Sequence, residues 1–276
     1  MIDTIIFDID GVLIDVSRSF RLVIAMVVAD YFKTFEGYFG PSIITPQTTQ
    51  VFKDRGGFNN DWELTEAAIL LCYYYKEEYG RFLPIIDLPD WYQGGGLEEL
   101  YQKTGLPRLN QNWIKRRFQI FYAGKRYCSR LYGFEPEEEI TGLIEKERIV
   151  LRREFLSERF RYGIATGRTE AETYLALEKM GLEPSFFEAG IVWAVRKPDP
   201  TLLYQLVFDH GVYIGDTIDD LRMVQGFAHR KRTLSLVMVK PPFRKEIEID
   251  QPDILFIADN VNDALLRLDR DRGEWT

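Results

Sequence analysis

Short apolar runs that each close on a polar group set the tightest limit on what this chain can fold into. "TIIF" runs into Asp8, "YGIA" into Thr166 and "VYIG" into Asp216. Runs of this length, bounded by turn signals, predict strands buried on both faces. Helix-like pieces follow two of them. "GRTEAETYLALEKMG" carries apolar Ala171, Tyr174, Leu175 and Leu177 and stops at Gly181, and "DDLRMVQGF" comes just after Asp216. "AGIVWAV", "TLSLVMVK" and "DILFIA" predict further strands, and "PDPTLLYQLVF" and "VNDALLRL" predict helices. Strands alternating with helices predict a parallel sheet covered on both faces.

The middle of the chain has another texture. "SRSFRLVIAMVVADYFK", "DWELTEAAILLCYYYKEEYG", "NWIKRRFQIFYAG" and "EEEITGLIEKERIVLRREFL" are helical by length and spacing. In the third, Ile114, Phe118, Phe121 and Tyr122 share one face. Thr45 before Pro46 and Glu135 before Pro136 read as helix starts. The surroundings of Gly94–Gly96 and the stretch Leu106–Gln111 read as loops. The fold expected is therefore α/β: a Rossmann-like parallel-sheet core from residues 1–15 and 156–276, interrupted by an all-α domain over 16–155.

Charge follows the same division. The net charge is -8. Residues 16–155 hold 19 basic and 19 acidic side chains, so the whole deficit falls in the core portions. Lys103, Arg108, Lys115, Arg116, Arg117, Lys125, Arg126 and Arg130 lie in a stretch without any acid. That stretch either faces an anionic substrate or forms a solvated helix face, the commoner case. Its aromatics sit at core spacing, so no nucleic-acid partner is expected. Cys72 and Cys128 are too far apart in sequence for a metal motif and form no disulfide framework. No run is long enough for a membrane span, and Asp3 inside a strand pattern is unlike a signal peptide. The expectation is a cytoplasmic protein without a membrane partner, its oligomeric state open.

Asp8 and Asp10 carry the chemical signal. Residues two apart on an extended strand point the same way, about 7 Å from each other. Like carboxylates so placed either stand in solvent or share a cation, and oxygen donors of this kind favour Mg²⁺. Gly11 comes too soon for a calcium loop of the EF-hand type. The other strand ends add Thr166 beside Gly167, then Asp216 and Asp220, and the loop "VRKPDP" adds Lys197. In open parallel sheets, ligands bind outside the carboxyl ends of the strands, so these groups are expected to share one crevice. Asp220 lies one helical turn from Asp216 and shares its face, which favours it over Asp219. Arg168 is either a solvated arginine or an attractor of anions at the rim. His210 and His229 lie in loops with no metal-ligand partner and carry no role here.

The order "DIDGV", "ATGR", "RKPDP", "GDTIDD" resembles the four motifs of the haloacid dehalogenase superfamily, phosphatase branch. The insertion after the first motif is similar in position to that family's helical cap, though larger. The resemblance implies Asp8 as nucleophile and Asp10 as general acid and base. It implies Thr166 and Lys197 as groups that hold the phosphoryl oxygens and offset charge. Mg²⁺ would be held by Asp8, the Asp10 carbonyl, Asp216 and Asp220. The activity implied is hydrolysis of a small phosphate monoester, a phosphorylated metabolite, through an aspartyl-phosphate. The alternatives are a phosphotransferase such as a sugar phosphomutase, and a non-catalytic phosphate-binding or scaffold protein. Dehalogenases of the superfamily lack the second aspartate, so Asp10 argues against carbon–halogen cleavage. Substrate contacts would come from Gly167 and Arg168 and, within "KDRGGFNNDWELT", from Asn59 and Asn60. Plain helix capping by Asn60 or Asp61 is the other reading of that segment.

Overall fold

The structure, a computed structural model, describes residues 2–240 and 253–270. The 241–252 and 271–276 stretches of the expected core lie outside these residues. In chain order, β1 spans Thr4–Phe7 and β2 Ile14–Asp15. Five helices follow: α1 (Phe20–Glu36), α2 (Thr48–Arg55), α3 (Asp61–Tyr79), α4 (Gly96–Thr104) and α5 (Gln111–Tyr132). Then come β3 (Arg148–Ile149), β4 (Arg161–Ala165), α6 (Glu170–Met180) and β5 (Gly190–Val192). The chain continues through β6 (His210–Gly215), α7 (Ile218–Gly226), β7 (Thr233–Val239), β8 (Ile254–Ala258) and α8 (Val261–Arg270). It divides into two compact units, Met1–Asp15 with Arg148–Thr276, and Val16–Glu147.

The first unit is built on a six-stranded parallel sheet in the order β5-β4-β1-β6-β7-β8. This is the α/β architecture that the alternating pattern predicts. Ile5, Ile6 and Phe7 are wholly buried, as a central strand covered on both faces requires. Each such side chain contributes about 1.5–3 kcal/mol by leaving water. β1 lies between β4 and β6, with Phe7 level with Ile164 on one side and Ile214 on the other. The strand order reverses there, so the crevice at the carboxyl ends of these three strands is the natural ligand position.

A short antiparallel pair closes the unit where the chain returns. Ile14–Asp15 pairs with Arg148–Ile149, and Val150 N donates to Leu13 O at 2.9 Å. Asn262 on α8 brackets the returning backbone: its Oδ1 accepts from Arg152 N and its Nδ2 donates to Val150 O, both at 2.9 Å. The chain therefore rejoins this unit at Arg148, ahead of residue 156.

The helix expected over "EEEITGLIEKERIVLRREFL" does not form. That stretch holds two short 3-10 turns, Leu143–Lys146 and Arg153–Phe155, with β3 between them. Pairing to β2 and the docking of Gly142 on α5 outweigh helix propensity here. "PDPTLLYQLVF" likewise shortens to a single 3-10 segment, Thr201–Gln205. α4, in contrast, begins at Gly96, inside the stretch read as loop.

In the helical unit, α1 packs against α3 and α5, and α3 against α4. Ile114, Phe118, Phe121 and Tyr122 are all buried, as their shared face predicts. The basic stretch is largely neutralised by acids outside it. Arg108 pairs with Glu98 at 2.6 Å, Arg117 with Asp30 at 2.7 Å and Lys125 with Glu139 at 2.8 Å. Lys115 lies over the Trp62 ring and Arg116 over Phe134. These contacts favour the solvated-face reading of the stretch.

α5 is interrupted at Gly124, which stands at φ 60°, ψ -175°. Lys125 N turns to Ile140 O at 2.9 Å, and Gly124 bridges to Thr141. A Cβ at position 124 would lie 2.1 Å from Gly142 N and 2.5 Å from Ile140 O. Gly124→Ala is therefore expected to cost at least about 2 kcal/mol, from left-handed strain together with collision on backbone. Urea unfolding measures it, and a midpoint equal to wild type would contradict this account of the break.

Candidate active site

Asp8 follows β1 directly, and its backbone N–H extends the sheet ladder to Ile214 O at 3.0 Å. The next residue fixes its carboxylate, since Ile9 N donates to Asp8 Oδ1 at 2.7 Å. The chain then turns sharply: Leu13 N and Ile14 N both donate to Ile9 O, at 2.9 and 3.0 Å. Gly11 makes the turn at φ 75°. A Cβ there would lie 2.2 Å from Asp216 Oδ2, so the position needs glycine for space as well as for conformation.

Lys197 bridges two carboxylates. Its Nζ lies 2.5 Å from Asp8 Oδ2 and 2.6 Å from Asp220 Oδ1, and its side chain is 1% exposed. The other Asp220 oxygen, Oδ2, accepts from Asp216 N (3.1 Å), Thr217 N (2.9 Å) and Thr217 Oγ1 (2.8 Å). Thr217 caps α7 and accepts in return from Asp220 N, so the helix start fixes the Asp220 side chain.

Electrostatics follow from this packing. Burial pushes Asp8 up to about 6; Lys197 opposes the shift, and Asp220 and Asp10 add to it. Burial also acts to raise Asp220, but the adjacent Lys197 charge and the hydrogen bonds from Thr217 hold it below the ordinary carboxylate value. Burial disfavours the Lys197 charge, yet Asp220 and Asp8 together hold it well above an ordinary lysine. Lys197 is thus the cation of the cluster.

Lys197 joins two of three acids that gather here. Asp8, Asp216 and Asp220 are all buried, and each offers an oxygen within 4.8 Å of the others'. Asp220 Oδ1 has a charge contact with Lys197 but no well-aligned hydrogen bond. A buried all-oxygen donor set of this kind fits a hard divalent cation such as Mg²⁺. Asp219 is buried too, but it turns to Arg222 at 3.4 Å and is not part of this trio.

The remaining expected residues divide between the units. Thr166 follows β4 and is wholly buried; its N–H donates to Val192 O and its carbonyl accepts from Val195 N. Gly167 is exposed. The Asp10 side chain is turned to Arg168 and is not part of the acidic trio. Arg168 is buried, and neither a solvated nor a rim placement describes it. Asn59 and Asn60 belong to the helical unit. Asn60 caps α3, accepting from Trp62 N at 2.9 Å and Glu63 N at 3.4 Å, and the Asn59 carbonyl accepts from Lys53 Nζ at 3.5 Å. Capping accounts for Asn60.

Tyr213 is a site neighbour that the sequence pattern does not flag. It is wholly buried, its hydroxyl donates to Ala165 O at 2.9 Å, and Lys197 Nζ lies 5.6 Å from its ring centre. The available signal was a hydroxyl-bearing residue inside an otherwise apolar central strand.

No family model matches the chain, and no curated protein matches it. Solved structures do. Phosphatase Tt82 from Thermococcus thioreducens is 31% identical, with 96% of this chain and 98% of that one covered and a TM-score of 0.66. A predicted phosphoglycolate phosphatase from Haemophilus somnus 129PT is 15% identical over 97% and 98% of the two chains, TM-score 0.56. A protein assigned as a haloacid dehalogenase-like hydrolase from Bacteroides fragilis is 15% identical over 96% and 100%, TM-score 0.53. The latter two likenesses concern the fold alone.

Proposed function

The chain belongs to the haloacid dehalogenase superfamily of hydrolases, and on that premise we propose that it is a Mg²⁺-dependent phosphatase of small phosphate monoesters. The observation that carries this reading is the buried cluster in which Lys197 joins Asp8 and Asp220 beside Asp216. The phosphatase from Thermococcus thioreducens supports the reaction class.

Asp8 attacks phosphorus, forming an aspartyl-phosphate as the ester oxygen leaves. Asp10 gives the leaving oxygen its proton and later takes one from the water that releases phosphate. Lys197 offsets charge on Asp8 and on the phosphoryl oxygens, and Thr166 donates a hydrogen bond to one of them. Asp8, Asp216, Asp220 and the Asp10 carbonyl would hold the cation, which supplies the further positive charge needed for a carboxylate to approach a phosphate dianion. The helical unit serves as the cap that selects the leaving group; its place in the chain, directly after the first motif, supports this. Among the described residues no helix is long and apolar enough to cross a membrane.

The test is hydrolysis of p-nitrophenyl phosphate and of a panel of phosphate esters, with Mg²⁺ and with EDTA. Phosphate release that requires Mg²⁺ is expected. Turnover undiminished by EDTA would overturn the metal assignment. Transfer to a sugar acceptor with little free phosphate would mark a phosphotransferase. Phosphate binding without turnover would mark a scaffold.

A further inference from the structure

Arg168 stands two residues beyond Thr166, where a phosphate-attracting arginine would present its guanidinium to solvent. Its side chain is instead 1% exposed. Nε and Nη2 lie 2.8 and 2.6 Å from a single atom, Asp10 Oδ1. The hydrogen bond from Arg168 is made to Oδ1. The arginine backbone is held as well. Arg168 N donates to Thr166 Oγ1 at 3.3 Å, and Arg168 O accepts from Ala194 N at 2.8 Å. Ala194 stands at φ 53°, a left-handed conformation that a residue with a side chain adopts only at a cost. Val195 N adds a bond to Thr166 O at 3.0 Å, so the loop leading to Lys197 grips the loop that carries Arg168.

We propose that Arg168 is a positioning residue for Asp10: it clamps Oδ1 and so leaves Oδ2 as the atom that moves the proton. The inference rests on the reading of Asp10 as acid and base. In the first step the Asp8–phosphorus bond forms, the phosphorus–ester oxygen bond breaks, and the proton on Oδ2 passes to the leaving oxygen. In the second, a water oxygen bonds to phosphorus, the Asp8–phosphorus bond breaks, and Oδ2 takes the water's proton. The planar guanidinium directs its N–H groups along fixed lines, so it holds Oδ1 within a narrower range of positions than a freely rotating ammonium would.

Two esters that differ only in their leaving group separate this role from simple folding or phosphate attraction. p-Nitrophenolate departs with little help from a proton, whereas phenolate needs more. kcat/KM reports the steps through phosphoenzyme formation. Arg168→Gln is expected to lower kcat/KM on phenyl phosphate at least about tenfold more than on p-nitrophenyl phosphate. It is also expected to give a burst of one p-nitrophenolate per enzyme, because the second step still needs Asp10. Arg168→Lys, which keeps the charge without the fork, is expected to show the same selectivity more weakly. It carries the test if the glutamine variant does not fold.

Equal losses on both esters without a burst would overturn the proposal. So would weakened inhibition by inorganic phosphate with the ratio between the esters unchanged, the mark of an anion-binding arginine. Wild-type protein inert toward both esters would remove the phosphatase reading and this inference with it. Wild-type turnover with uniform losses would remove this inference alone.

Discussion

Replacing Asp8 by asparagine is expected to lower kcat on p-nitrophenyl phosphate by about four orders of magnitude or more while the protein stays folded. The amide keeps the shape of the carboxylate and loses the nucleophile. Fold retention follows from the electrostatics of the site. Burial already pushes Asp8 up to about 6, so the folded protein gains from losing that charge. Lys197 remains paired, because Asp220 lies 2.6 Å away on its other side. Acid-quenched reactions with labelled phosphate ester should trap phosphate on the wild-type chain and none on the variant. A variant within tenfold of wild type would dismiss Asp8 as the nucleophile.

Lys197→Met is the second large effect, and it falls on stability as well as rate. The substitution leaves Asp8 and Asp220 buried without the ammonium that joins them. Removing one partner of a buried ion pair typically costs about 3–5 kcal/mol, because the other charge stays desolvated. Urea unfolding without metal should show a loss of that size. Mg²⁺ should restore more stability to this variant than to wild type, since a bound cation takes over the neutralising charge. kcat should fall by about 10²–10³, the usual effect of losing a charge-stabilising group aimed at the reacting atoms. A loss under about 1 kcal/mol, or equal Mg²⁺ stabilisation of both proteins, would contradict the assignment of Lys197 as the central cation of the cluster.

Both predictions concern residues that stand out in the bare sequence. Asp8 and Asp216 each close an apolar run, and Thr166 does the same. Such runs become strands because they are buried on both faces, a property of a few consecutive side chains. Once they are parallel neighbours, their carboxyl ends coincide, and the polar groups just beyond them are carried to one edge. The helical face of Ile114, Phe118, Phe121 and Tyr122 was legible for the same local reason.

Other features lie outside such patterns. Residues 135–155 have the composition of a helix, but β3 pairs there with a strand more than a hundred residues away in sequence. Arg168 looks like any arginine after a glycine until the fold buries it against Asp10. The break in α5 depends on Gly142 lying against Gly124.

What the sequence by itself determined is the parallel sheet and the set of polar groups at its edge, because both follow from short-range apolar patterning and from which residue ends each run. Only the tertiary structure decided how those groups pair: Lys197 between Asp8 and Asp220, Arg168 on Asp10, Asp219 turned away to Arg222. Side-chain pairing depends on distances of a few ångströms between distant segments, and local sequence does not encode them.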